Sequence, residues 1–99
     1  MARQIEFSRR FVAQLQKILA FYDQRNGNTN YSRRLLNSLM EDIRQVAVMP
    51  TASSPSTRKD VRFFYLMGFT IIFRYNSQRV TILSIRSDNQ SPLKIYNKK

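Results

Sequence analysis

Apolar and polar residues change their period part-way along the chain. Ile5 and Phe7 alternate with Glu6, a period of two that predicts a first strand over roughly residues 3–7. Ser8 is then a suitable helix N-cap, its hydroxyl able to satisfy a free backbone N–H of the first turn. Phe11, Leu15, Ile18 and Tyr22 recur at helical spacing, with Val12 and Leu19 widening the stripe. Arg25, Asn26, Gly27 and Asn28 end this helix, a cation in the last turn followed by residues that tolerate positive φ. A second helix starts near Asn30, which can cap it. It presents Leu35, Leu36, Leu39, Ile43 and Val46 on one side and stops at Pro50. The connection of about four residues predicts an antiparallel helical hairpin. Arg33, Arg34, Arg44, Glu41 and Asp42 fall mostly on its solvated side.

Thr51 to Lys59 has no apolar member larger than alanine and reads as a mobile surface loop. Beyond it the pattern turns β-rich. Val61 to Met67 is dense in aromatics, Met67-Gly68 supplies a tight turn, and Phe69 to Tyr75 forms the next strand. Asn76-Ser77-Gln78 turns the chain again and Val80 to Arg86 makes the last long strand, so three antiparallel strands form a meander. The apolar run Phe63–Phe73 is read as a hairpin and not as a buried helix, because it contains Gly68, β-branched residues and aromatics. The order β-α-α-β-β-β predicts one α+β domain over residues 1–99. A helical hairpin packs on a mainly antiparallel sheet, and a tail follows from about residue 92.

Composition narrows the chemistry. The 99 residues suffice for one core, and cysteine and histidine are both absent. Disulfides, thiolate metal sites, nucleophile systems built on histidine and imidazole-based RNase mechanisms are thereby excluded, and neither metal nor cofactor is expected. The N-terminus has no apolar signal core. The 11-residue apolar run falls short of the roughly 20 needed to span a bilayer, so a soluble, cytoplasmic protein without a membrane partner is expected. Seventeen Lys and Arg against six Asp and Glu give a net charge of +11, which favours polyanionic partners, nucleic acid foremost.

Several phrases, taken in order, resemble the RelE/ParE superfamily of toxins from type II toxin–antitoxin (plasmid stabilisation) systems. They begin with Ile5-Glu6-Phe7-Ser8 entering a helix, then Phe21-Tyr22 to Asn26-Gly27-Asn28 and Val61-Arg62-Phe63-Phe64. Phe69 to Tyr75, Val80 to Ile85 and Asp88 to Lys94 complete the series, so the likeness covers nearly the whole chain. The resemblance implies a cognate antitoxin, a small protein wrapping the toxin through an amphipathic helix and an extended segment. It also implies one of two mechanisms. RelE-like members enter the ribosomal A site and cut mRNA; ParE-like members inhibit DNA gyrase and cut nothing.

RNA cleavage in the RelE-like branch uses the substrate 2′-hydroxyl and passes through a dianionic phosphorane, which calls for positive charge aimed at phosphate oxygens. Arginine supplies a planar, permanently charged fork. Arg62, Arg74 and Arg86, one on each strand of the meander, are therefore the candidate catalytic cations. Alternation groups Arg62 with Phe64 and Leu66, Arg74 with Thr70 and Ile72, and Arg86 with Ser84 and Ile82. Tyr96 falls where some RNase members place a functional aromatic, and Lys94, Lys98 and Lys99 are candidate nucleic-acid contacts. Thr70 stands where RelE-like members commonly carry arginine, and Ser87-Asp88-Asn89-Gln90 replaces the usual His or Arg/Lys cluster. The reading placed first is a ribosome-dependent mRNA interferase, with ribosome and mRNA as partners. A gyrase inhibitor is the alternative, and a non-toxic nucleic-acid-binding domain comes third.

Overall fold

In the computed structural model, which describes residues 2–87, the change of period becomes two layers. Strand β1 (Gln4–Phe7) leads through Ser8 into helix α1 (Arg9–Asn26), and helix α2 (Asn30–Val48) follows. Ser8 caps α1 as its position predicts: its Oγ accepts the Phe11 N–H at 3.0 Å and donates to the Leu83 carbonyl at 2.8 Å. Gly27 closes the helix at φ 72°, its N–H donating to the Asp23 carbonyl. Asn30, expected as the cap of α2, is the first residue inside it. Thr29 takes the cap position, and the Asn28 side-chain oxygen accepts the Asn30 N–H at 3.0 Å in a local turn. Ser32 locks the helical hairpin, its hydroxyl lying against the Asp23 carboxylate and the Leu19 carbonyl.

Pro50 opens a 3₁₀ turn (Pro50–Ala52). Strands β2 (Ser54–Pro55), β3 (Val61–Leu66), β4 (Phe69–Tyr75) and β5 (Arg79–Ser87) complete the described residues. The stretch 51–59 is thus not the free loop its small residues suggest. β2 pairs with Phe63 and Arg62, and Ser56 Oγ donates to the Val61 carbonyl at 2.6 Å. The five strands lie in the order β1-β5-β4-β3-β2, antiparallel throughout except that β1 runs parallel to β5. Met67 and Gly68 make the β3–β4 turn with φ of 51° and 82°, the paired positive angles that match the twist of a two-residue hairpin.

Leu35, Leu39, Ile43, Val46 and Ala47 of α2 and Phe11 of α1 pack on Phe69, Ile71, Phe73, Val80, Ile82 and Ile85. Both helices therefore cover one side of the sheet. Phe11 is the one fully buried residue of α1, because this helix runs along the margin of the sheet beside β5 and buries only part of its stripe. A bulge sets the two faces of β5. Ile72 pairs with Ser84 but Phe73 with Ile82, so Leu83 is an extra residue and the alternation inverts there. Ile82 and Ile85 both reach the core as a result, while Ser84 and Arg86 turn to the face that carries no helix among the described residues. Arg86 therefore shares a face with Ser84 but not with Ile82.

Candidate functional site

The strand arginines can be followed from the register. Arg62 pairs with Phe73, a core residue, so its side chain starts on the helical side of β3 with Phe64 and Leu66. Its guanidinium is committed to backbone carbonyls: Nε donates to Ser53 at 3.1 Å, and Nη2 donates to Ser53 at 2.7 Å and Thr51 at 3.2 Å. That arrangement holds the 3₁₀ turn and β2 against β3.

Arg74 and Arg86 lie on the opposite face, which carries no helix among the described residues but on which Thr70 and Ser84 are buried. Arg74 pairs with Val61 and Thr81, and Arg86 pairs with Thr70. The Ile72–Ser84 pair stands between them, and the four positions from Thr70 to Arg74 span about 13 Å at roughly 3.3 Å per residue. The three candidate cations are thus divided, with two on one face that are not cross-strand neighbours and a third on the other. The physical reason is the parity of β3 relative to β4, which no residue of β3 announces. Phe63 and Tyr65 border the same face, their rings 5.5 Å apart at 77°.

Arg79 was not singled out in the sequence, yet it pairs with Gln4 and so joins this face; Glu6 beside it forms a salt bridge at 3.5 Å. A cavity of about 310 Å³ is lined by Glu6, Asp60, Arg74, Tyr75, Asn76, Arg79 and Thr81. An incoming phosphate meets two carboxylates there as well as two guanidinium groups. Titration is perturbed elsewhere, on α2. Burial, with Glu41 adjacent, raises the Asp42 carboxyl above its ordinary value. Burial and then Tyr22 raise the Tyr31 phenol, partly opposed by Arg34. No group of three or more metal-ligating side chains occurs among the described residues. Tyr96, Lys94, Lys98 and Lys99 lie outside them.

Residues 5–92 match the sequence model of a family described as the ParE toxin of the type II toxin–antitoxin system parDE. The chain belongs to the ParE toxin family. No curated protein sequence matches the toxin. Among solved structures it is similar to a chain of a chromosomal ParDE toxin–antitoxin system from P. aeruginosa, with a TM-score of 0.72 at 20% identity. That match covers 87% of the toxin and 96% of the other chain. An arginine-substituted E. coli RelE in its free state gives a TM-score of 0.67 at 14% identity, covering 98% and 93% respectively. The same kind of RelE variant bound to a peptide of the antitoxin RelB gives 0.61 at 17%, covering 99% and 94%. These likenesses agree with the α+β arrangement of two helices on a five-stranded mixed sheet, and the toxin of a type II system has a cognate antitoxin as partner. No helix among the described residues is long and apolar enough to cross a membrane.

Proposed function

We propose that this toxin arrests growth in the ParE-like way, by binding and blocking DNA gyrase, and that it cuts no RNA itself. The observation that carries the reading is the dispersal of the strand arginines. A phosphorane transition state is stabilised by donors converging on one set of oxygens. Arg62 instead faces the helices with its donors engaged by Ser53 and Thr51, while Arg74 sits in a cavity it shares with Glu6 and Asp60. A chain without histidine has no imidazole to serve as acid or base in their place. The family match over residues 5–92 supports the same reading. Binding needs only a surface, and a net charge of +11 speeds encounter with an acidic enzyme–DNA complex. The test is a supercoiling assay with purified gyrase: stoichiometric toxin is expected to stop supercoiling, and full activity at micromolar toxin removes the proposal.

A second reading, the ribosome-dependent mRNA interferase, is favoured by one observation. Arg74, Arg86, Phe63 and Tyr65 share the face opposite the helices, and cations interleaved with aromatic rings suit single-stranded RNA. New RNA ends on programmed ribosomes incubated with toxin would establish it. Both targets are cytoplasmic, and a single domain serves either.

A further inference from the structure

Charged residues of both signs surround Thr81 on the face opposite the helices. Thr81 pairs with Glu6 on β1 and with Arg74 on β4, so the three stand in one row across adjacent strands. Neighbouring strands lie roughly 4.8 Å apart, which sets the Glu6 and Arg74 backbones about 10 Å from each other with Thr81 between them. The long side chains of Glu6 and Arg74 can reach across that gap. Arg79, two residues before Thr81 on β5, points the same way. Asp60 closes the far side, held there by its carbonyl, which accepts the Tyr75 N–H at 2.9 Å. All five line the cavity of about 310 Å³, which lies at the small end of the range for ligand pockets.

The polar groups of this cavity are unequally committed. Arg79 Nε meets Glu6 Oε2 at 3.5 Å, and Arg58 Nε meets Asp60 Oδ1 at 3.4 Å. Both bridges are long and solvent-exposed, so an incoming charge exchanges with them at little cost. The Arg74 guanidinium and the Thr81 hydroxyl have no hydrogen-bond or ion-pair partner among the described residues. Asn76 Oδ1 accepts the Gln78 and Arg79 N–H groups, both at 2.8 Å, which leaves its amide NH2 to donate.

Charge selects the ligand. Two carboxylates and two guanidinium groups make the lining neutral, inside a protein of net charge +11. A phosphate or a dicarboxylate meets Glu6 and Asp60 as like charges, and a polyamine meets Arg74 and Arg79. A dipolar ligand matches both signs, its carboxylate on the planar fork of Arg74 and its ammonium on Glu6 or Asp60. Thr81 and Asn76 offer a hydroxyl and an amide to the remainder of the molecule. We infer that the cavity over Thr81 binds a free, zwitterionic α-amino acid with a polar, uncharged side chain. Occupancy ties β1, β5 and β4 to the segment before β3, and it does not depend on how the toxin arrests growth.

The experiment follows amide and arginine Nε–H resonances of the isotope-labelled toxin as L-glutamine is added at neutral pH. Shifts at Arg74, Thr81 and Asn76 should saturate in the millimolar range. N-acetylglutamine lacks the ammonium and glutamine amide lacks the carboxylate; each should bind at least about tenfold more weakly. Arg74→Gln, at an exposed position without partners, should keep the urea midpoint and lose at least about tenfold in affinity. Arg34→Gln on α2 removes the same charge elsewhere and should lose none. Absence of saturable shifts overturns the inference. So does either analogue, or inorganic phosphate, binding as tightly as L-glutamine. Equal loss in the Arg74 and Arg34 variants overturns it too, by reducing the effect to net charge.

Discussion

Where β1 ends at Phe7, β5 continues to Ser87 with no strand of the described residues beside it on that side, and α1 supplies the missing partners. Ser8 Oγ donates to the Leu83 carbonyl, and Gln14 Oε1 accepts the Ile85 N–H at 2.9 Å. Ile85 is 2% exposed, so no water replaces Gln14 once its acceptor is removed. Gln14→Met keeps the length and packing of the side chain but offers only a thioether. The expected cost is that of a buried donor left unsatisfied, about 1–3 kcal/mol. For a domain of this size a loss of about 2 kcal/mol lowers Tm by roughly 8–16 °C. Gln14→Glu retains an oxygen acceptor and should stay within about 0.5 kcal/mol of the parent. Urea unfolding followed by circular dichroism measures both, with an unchanged m-value showing that stability and not compactness has moved. If Gln14→Met unfolds at the parent midpoint, the side chain does not complete the ladder and the account of how α1 seats on β5 is wrong.

Three further outcomes are expected. Arg62→Ala frees the Ser53 and Thr51 carbonyls, so cleavage by a protease within 51–59 should accelerate and stability fall by about 1–2 kcal/mol, while growth arrest persists; loss of arrest with the fold intact would return Arg62 to the functional residues. Met67→Asn places a residue that accepts positive φ before Gly68 and should raise stability by about 0.5–1 kcal/mol in thermal melts; a lower Tm contradicts the turn assignment. Asp42 has its folded-state carboxyl raised above the ordinary 3.8, so the charged form is disfavoured by folding. Its cost is fully present at pH 7 and is relieved as pH falls through the raised value toward 3.8. Asp42→Asn should therefore stabilise the toxin at pH 7 and flatten that acid-side gain, read from urea midpoints at the two pH values.

The sequence carried the element order because its periods differ so sharply: Phe11 to Tyr22 and Leu35 to Val46 repeat helically, whereas Val61 onward alternates. It carried less of the site. Which face Arg62 occupies depends on β3 pairing with β4 through Phe73, a relation between two strands that neither spells out. The inversion at Leu83 was partly legible. Val80, Ile82, Leu83 and Ile85 do not alternate cleanly, and that extra apolar residue is the only local trace of the bulge that turns Arg86 outward. Gln14 was invisible as an edge partner, since a glutamine within an apolar stripe looks like its polar border. The ordering of 51–59 was missed because it comes from Arg62, a residue outside that stretch.

The most direct trial of the account is to induce the toxin in growing cells and, in the same culture, measure plasmid supercoiling and map mRNA 5′ ends. Relaxed plasmid with intact messages is the predicted result. Truncated messages on normally supercoiled DNA would contradict it.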